Sequence, residues 1–130
     1  VPPRFTVRYE RTIPANDLPE RYAEMDALLI PSKREGGPVP ALEALACGTP
    51  VISRPVGYVT DLIDALPFAG RIFTTPDEAV AALQTARRIK QGIRHRMEDV
   101  RAVLNEYQWE RFACSIEARL SEAKASAPTR

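Results

Sequence analysis

The first half of the chain alternates short strand-like segments with segments whose apolar residues recur at helical spacing. Strands are predicted at 27–30, 50–53 and 70–73, and the continuous apolar run at 27–30 predicts a strand buried on both faces. A further strand is predicted at 5–9, where aromatic and β-branched residues alternate with polar ones. Strands separated by helices and short connections are typical of a parallel β-sheet.

Helices are predicted between these strands and throughout the rest of the chain. Asn16 or Asp17 is expected to cap the first helix, and Gly48 to end the second. Thr75 is expected to cap a helix that begins at Pro76, where proline is favoured. The predicted helices span about 18–25, 39–47, 61–66, 76–89, 93–107 and 109–123.

Apolar positions in the C-terminal helices predict which faces are buried. Val80, Leu83 and Ile89 are expected to form one buried stripe on the helix that follows Thr75. Trp109 is expected to pack the last helix against the domain, in preference to acting as a stacking platform for a ligand.

This order of elements predicts an α/β domain: a Rossmann-like parallel sheet with flanking helices and a helical C-terminal segment. The 130 residues are enough for a hydrophobic core, and 45% apolar with 27% charged residues is ordinary for a soluble domain. We expect one domain over 1–120 and a frayed tail over 121–130.

The charge distribution gives little reason to expect a charged partner. The formal net charge is +1, so no nucleic acid partner is expected. Basic residues cluster at 87–101, where Glu98 and Asp99 interrupt them. We interpret this region as a solvated helix face, with weak peripheral contact to a membrane as the functional alternative.

The two cysteines lack the spacing of metal ligands. Cys47 and Cys114 lie far apart in helical segments, so two reduced thiols are a better interpretation than a disulfide. We therefore expect a cytoplasmic protein, with peripheral contact to a membrane as the alternative, and we expect no metal and no cofactor.

The loop at 31–38 is the best candidate for a site. It follows the predicted strand at 27–30 and therefore lies at the carboxyl edge of the sheet, where ligands bind in such folds. Gly36 and Gly37 let the backbone approach a ligand closely. A helix that begins near Val39 directs unpaired N–H groups at the same place, which suits a phosphate.

Two acidic residues flank this helix start. Glu35 lies on the loop and Glu43 one turn inside the helix, so both can accept hydrogen bonds from a ligand rich in hydroxyls. The alternative is an ordinary surface turn followed by a glutamate that favours the first turn of a helix.

The residues between 31 and 52 resemble the donor-binding signature of one enzyme family. The matching strings are Pro31-Ser32, Glu35-Gly36-Gly37-Pro38 and Leu42-Glu43-Ala44-Leu45-Ala46-Cys47-Gly48-Thr49-Pro50-Val51-Ile52. They resemble the GT-B fold retaining glycosyltransferases of family 4 (glycosyl transferases group 1), which are glycogen-synthase-like. Val56-Gly57, Asp61 and Trp109-Glu110 extend the resemblance.

The resemblance implies a role for each matching position. Glu35 corresponds to the glutamate that contacts the transferred sugar, which makes it the candidate catalytic residue. Gly36 and Gly37 correspond to turn residues against that sugar, Val39 to an amide on the donor diphosphate, and Glu43 to the ribose-binding glutamate. The implied donor-binding residues are Glu35, Gly36, Gly37, Pro38, Val39 and Glu43.

The sequence departs from the family pattern in three respects, of which the aspartate at Asp61, where members usually have glutamate, is a conservative change. Pro40 has no N–H where many members offer one to phosphate, which leaves Ala41 and Leu42 as donors. The resemblance also implies that an N-terminal domain and the first strands of the sheet are missing, which would leave an exposed sheet edge.

The leading hypothesis is the donor-binding domain of a retaining hexosyltransferase that uses a nucleoside diphosphate sugar. Its acceptor, a saccharide or a lipid-linked group, is unknown, and the domain is expected to be inactive without the missing N-terminal domain. The alternatives are a non-catalytic nucleotide-sugar-binding fragment or module and, less favoured, a GT-B-type nucleotide-sugar epimerase.

Overall fold

The computed structural model describes residues 6–126, in which a three-stranded parallel sheet is flanked by helices. The strands are β1 (Leu28–Ile30), β2 (Val51–Ser53) and β3 (Gly70–Ile72), in the order β1-β2-β3. The helices are α1 (Leu18–Glu24), α2 (Val39–Ala46), α3 (Val59–Ala65), α4 (Pro76–Gln84), α5 (Ala86–Arg94), α6 (Met97–Leu104) and α7 (Trp109–Ala125), with 3₁₀ turns at Ala15–Asp17 and Asn105–Tyr107. This arrangement confirms the predicted α/β class with a parallel sheet and flanking helices.

The central strand β2 is fully buried. Val51 pairs with Leu28 on one side and with Gly70 on the other. Gly70 has no room for a side chain, because an added Cβ would lie 2.1 Å from the carbonyl oxygen of Val51. A glycine at this position therefore lets β3 approach β2.

The prediction that β1 is buried on both faces is wrong for Leu29, which is 41% exposed. β1 pairs with β2 on one side, and the structure describes no strand on its other side. Leu29 and Ile52 lie on the same face of the sheet, and on this face Ala82 of α4 packs against Ile52. Leu29 therefore lies on the open edge of the sheet.

The strand predicted at 5–9 is absent from its described part. Residues 6–9 have no regular structure, and Val7 and Tyr9 are 80% and 85% exposed. A strand requires a neighbour to satisfy its N–H and C=O groups, and no strand lies beside this segment in the described range. Phe5, where this strand was predicted to begin, lies outside the described residues.

The long helix predicted after Thr75 is two helices that meet at Thr85. The Thr85 hydroxyl donates to the Ala82 carbonyl at 2.8 Å, which ends α4 locally. The predicted stripe is also wrong at Val80 and Leu83, which are exposed. Small residues face the sheet instead, because alanine lets α4 pack closely against β2.

The predicted helix at 93–107 is likewise divided. Ile93 belongs to α5 and is buried, and the Arg96 N–H donates to its carbonyl at 2.8 Å, after which α6 begins at Met97. Val100 is the buried residue of α6. The prediction for 61–66 was closer, since α3 begins two residues earlier, at Val59.

Predicted helix ends are confirmed where local chemistry defines them. Thr75 and Glu78 form a reciprocal capping box at the start of α4. Gly48 follows α2 with a φ of 76°, a conformation that favours glycine. Asp17 precedes α1, but its side chain makes no capping hydrogen bond.

The C-terminal helix α7 runs across the predicted domain boundary at 120 and is helical as far as Ala125. The division into 1–120 and a tail stays a prediction. No helix among residues 6–126 is long and apolar enough to cross a membrane.

Candidate functional site

Two loops pack against each other at the carboxyl edge of the sheet, where the site was predicted. One joins β1 to α2 and carries Gly36 and Gly37, and the other joins β2 to α3 and carries Gly57. Gly57 has a φ of 50°, and a Cβ there would lie 3.1 Å from both Cα and N of Gly37. The two loops are therefore in backbone contact, which fixes the position of the glycine turn.

The ring of Tyr58 supports the same turn. A Cβ on Gly37 would lie 2.5 Å from Cε1 of Tyr58, so the packing of this ring requires a glycine here. Tyr58 is held in turn by Tyr107, with ring centroids 5.2 Å apart. Burial, the neighbouring Tyr107 and then Glu43 raise the pKa of the Tyr58 hydroxyl, which keeps it protonated. Sequence reasoning missed Tyr58, since nothing marks it except its place after Gly57.

A cavity of about 990 Å³ opens beside the turn. Three of the six predicted donor-binding residues line it, namely Gly36, Gly37 and Val39. The remaining wall comes from α2, from the loop before α3, from the 3₁₀ turn at Asn105–Tyr107 and from the first turns of α7. These lining residues are Leu42, Tyr58, Glu106, Tyr107, Trp109, Glu110, Arg111, Phe112, Cys114 and Ser115.

The backbone N–H groups beside the cavity differ in their availability. Those of Gly36, Gly37 and Val39 have no acceptor among residues 6–126. The N–H of Ala41 donates to the Pro38 carbonyl at 2.9 Å, so the expectation that it is free for a phosphate was wrong. The side chain of Pro38 is buried and does not line the cavity.

The two glutamates occupy different environments, and neither lines the cavity. Glu35 is exposed on the loop, and no hydrogen bond or ion pair to it is found in the described part of the chain. Glu43 is half-buried on α2, where its Oε2 accepts a hydrogen bond of 2.8 Å from the hydroxyl of Tyr22 on α1.

Tyr22 is itself held on both sides. Its side chain is 7% exposed within the main hydrophobic cluster, and its carbonyl accepts a hydrogen bond from Oγ1 of the buried Thr49. Burial first, then the hydrogen bond and charge of Glu43, raise the pKa of Tyr22 to about 12. The hydroxyl is therefore a permanent donor at neutral pH.

A sequence profile described as Glycosyl transferases group 1 matches residues 6–111. The chain belongs to the group 1 glycosyltransferases. The matched range contains the whole sheet, the glycine turn, Glu35 and Glu43, and it ends at Arg111, early in α7.

Relatives with curated names are similar over half of the chain or more. A D-inositol 3-phosphate glycosyltransferase of Salinispora arenicola is 32% identical over 93% of this chain and 27% of its own length. One of the same name from Frankia alni is 39% identical over 50% of this chain and 17% of its own length. A GDP-mannose-dependent alpha-(1-6)-phosphatidylinositol dimannoside mannosyltransferase of Mycobacterium tuberculosis is 32% identical over 80% of this chain and 26% of its own.

The chain thus spans little more than a quarter of these glycosyltransferases at most. No solved structure matches it.

In this group 1 domain, α7 presents an exposed apolar side. Trp109 is 78% exposed and meets Phe112 edge-on, with ring centroids 5.6 Å apart. The expectation that Trp109 packs the helix against the domain is therefore wrong within residues 6–126. Both aromatic residues instead line the cavity, where Arg111 is paired with Glu106 at 2.7 Å.

Some basic residues of the region at 87–101 contact other residues of the domain. Arg87 pairs with Asp26 at 3.1 Å, and Lys90 donates to the Ala23 carbonyl at 2.6 Å near the end of α1. Arg96 pairs with Asp99 at 2.8 Å, and its guanidinium lies 3.8 Å from the ring centroid of Phe68. Several of the basic residues thus bind neighbouring elements of this domain.

Proposed function

We propose that this chain is the donor-binding part of a group 1 glycosyltransferase and that it binds a nucleoside diphosphate sugar at the glycine turn. The observation that carries the proposal is the set of unpaired N–H groups on Gly36, Gly37 and Val39, three residues of the family-matched range that line one cavity. Such groups at a helix start favour a phosphate.

In this proposal Val39 and the two glutamates have separate tasks. Val39 N–H donates to the diphosphate, and the free Oε1 of Glu43 accepts from the ribose. Glu35, exposed at the start of the turn, orients the transferred sugar and is the candidate catalytic residue. Positioned donors and stabilised charge on the departing phosphate are the two sources of catalysis in such a site.

The finer assignments are part of the proposal. They are a GT-B fold, family 4 membership, transfer with retention and the absence of a metal or cofactor. GDP-mannose is a reasonable first donor to test, because the name of one relative specifies it. The acceptor is a saccharide or a lipid-linked group, which an N-terminal domain would bind; a cytoplasmic location with weak peripheral membrane contact completes the proposal.

A single substitution can remove the Val39 N–H and so test whether it binds the phosphate. Val39 is the first residue of α2, where proline is tolerated, and Pro38 before it is extended. Val39→Pro therefore removes the N–H and keeps the helix, whereas Val39→Ala keeps the N–H and removes side-chain contacts. Calorimetry should show GDP binding about tenfold weaker for V39P than for V39A, as expected for a lost hydrogen bond to a charged group.

Trp109 provides an independent signal, since it is the single tryptophan of the chain and lines the cavity. We expect GDP to change its fluorescence, with the same apparent affinity as in calorimetry. Equal GDP affinity of V39P and V39A would contradict the role of the amide. An absence of GDP binding by the wild-type chain would contradict the proposed function as a whole.

A further inference from the structure

We propose that Tyr22 is a positioning residue, which holds Glu43 by one carboxylate oxygen so that the other is free to accept from the ribose diol of the bound nucleotide. This inference rests on the proposed function. It assigns a task to a residue of α1, outside the glycine turn and the cavity wall.

The contact joins two elements that are distant in sequence. Tyr22 and Glu43 are separated by 21 positions, and their hydrogen bond links α1 to α2. The Tyr22 ring lies in the hydrophobic cluster that also contains Ala44 and Leu45 of α2. Because the ring is buried and its backbone is bound by Thr49, the hydroxyl is presented from a fixed position.

A fixed donor divides the two oxygens of Glu43 between two tasks. Oε2 accepts from Tyr22, whereas Oε1 has no partner among residues 6–126. A free glutamate samples several rotamers, and binding a ligand would have to restrict them. The Tyr22 hydrogen bond imposes this restriction before the ligand arrives, so that a diol meets an oriented acceptor.

The protonation of Tyr22 supports the same assignment. With a pKa raised to about 12, chiefly by burial and then by Glu43, the hydroxyl remains a donor at any physiological pH. Without this hydroxyl, the Glu43 carboxylate would bind water instead, and its side chain would sample several rotamers.

The competing interpretation is a purely structural link between α1 and α2. The two interpretations differ in one measurable respect, which is the dependence on the diol. A structural link stabilises the site for any nucleotide, whereas an oriented Oε1 matters only for a ligand with ribose hydroxyls.

The test compares Tyr22→Phe with wild type in calorimetric titrations with GDP and with 2′,3′-dideoxy-GDP. Tyr9→Phe is the matched control, because it deletes a phenol oxygen from an exposed tyrosine. We expect Y22F to bind GDP about tenfold more weakly, as for the loss of one oriented hydrogen bond to a charged group, and dideoxy-GDP with unchanged affinity. E43Q should show the same pattern, and Y9F should match wild type with both ligands.

Three results would be decisive against these claims. Equal weakening of both ligands by Y22F would show a structural link and overturn the inference. Loss of GDP affinity in E43Q but not in Y22F would overturn it as well, while the proposed function stands. Absence of GDP binding by the wild-type chain would overturn the proposed function itself.

A measurement on the wild-type chain keeps the test valid if Y22F does not fold. In a chain with ¹³Cζ-labelled tyrosine, GDP should move the Tyr22 resonance, because the ribose and Tyr22 share one carboxylate. Dideoxy-GDP should leave that resonance in place. A resonance that moves with neither ligand, or equally with both, would overturn the inference.

Discussion

Gly57 and Gly37 are in backbone contact: a Cβ on Gly57 would lie 3.1 Å from the Cα of Gly37. Gly57 follows β2 and Gly37 follows β1, so this contact joins the loops of two adjacent strands. It fixes the glycine turn against the loop that leads into α3. The position of the proposed phosphate site thus depends on a residue outside the turn.

Gly57→Ala should displace the turn and weaken nucleotide binding. The new Cβ meets backbone atoms that cannot rotate away, and alanine is strained at a φ of 50°. We expect a loss of about 1–2 kcal/mol in the free energy of unfolding and a clear reduction in GDP affinity, measured by urea denaturation and calorimetry.

Gly57→Asn separates the two causes. Asparagine tolerates this φ better than alanine but carries the same Cβ. G57N should therefore lose less stability than G57A and lose GDP affinity to a similar extent. Wild-type affinity in both variants would show that this contact does not position the site.

The sheet depends on the absence of a side chain at Gly70. A Cβ at this position would lie 2.1 Å from the Val51 carbonyl oxygen and 2.7 Å from Cδ1 of Ile63. Gly70→Ala should lower the free energy of unfolding by about 3 kcal/mol or prevent folding.

Gly92→Ala is the matched control for this substitution. Gly92 lies in the interior of α5, and a Cβ there meets no atom within 4 Å. Because alanine is the better helix former, G92A should raise the free energy of unfolding by about 1 kcal/mol. Similar effects of the two substitutions in urea denaturation would contradict the described packing of β3 on β2.

Much of this architecture could be predicted from local sequence signals, and the site only in part. The apolar run at β2 and the glycine at position 48 are local, so the strand and the end of α2 were predicted. The exposure of Leu29 could not be, because it depends on which strand lies at the edge of the sheet. The break at Thr85 was missed because Val80 and Ile89 are spaced as apolar residues on one face of a continuous helix are.

The site shows the same division between local and distant signals. The glycine turn and the start of α2 follow from adjacent residues. The Tyr22–Glu43 hydrogen bond and the wall formed by Trp109 depend on how distant helices pack. No pattern in the sequence encodes those contacts.

Tyr22 should make the folded state sensitive to alkaline pH. Burial foremost, and then Glu43, raise its pKa from 10.0 to about 12. Because the folded-state pKa lies above the unfolded value, the associated stability is fully present below pH 10 and is lost as pH rises towards 12.

Urea denaturation across this pH window should therefore show a smaller decline for Y22F than for wild type. Part of the decline should remain, because burial also raises the pKa of Tyr58 and of Tyr107. An identical pH dependence in Y22F and wild type would contradict the described environment of Tyr22.

The two cysteines should differ in their reaction with iodoacetamide. Cys114 is exposed, whereas burial, and to a smaller extent the charge of Glu43, raises the pKa of the half-buried Cys47. The thiolate is the reactive form, so Cys114 should be alkylated first at neutral pH. Mass spectrometry of the modified peptides measures both rates.

Glu43→Gln should accelerate alkylation of Cys47 without making it as fast as that of Cys114. The substitution removes the smaller cause of the raised pKa and leaves burial, the larger one, in place. If E43Q leaves the Cys47 rate unchanged, the carboxylate does not act on this thiol.

The most direct measurement of the central claim is a titration of the ¹⁵N-labelled chain with GDP, followed by NMR. The largest amide shifts should occur at Gly36, Gly37 and Val39, with a smaller change at Glu43, and V39P should need about tenfold more GDP to produce the shifts at Gly36 and Gly37. An absence of shifts at millimolar GDP, or shifts concentrated in the basic region at 87–101, would contradict the claim.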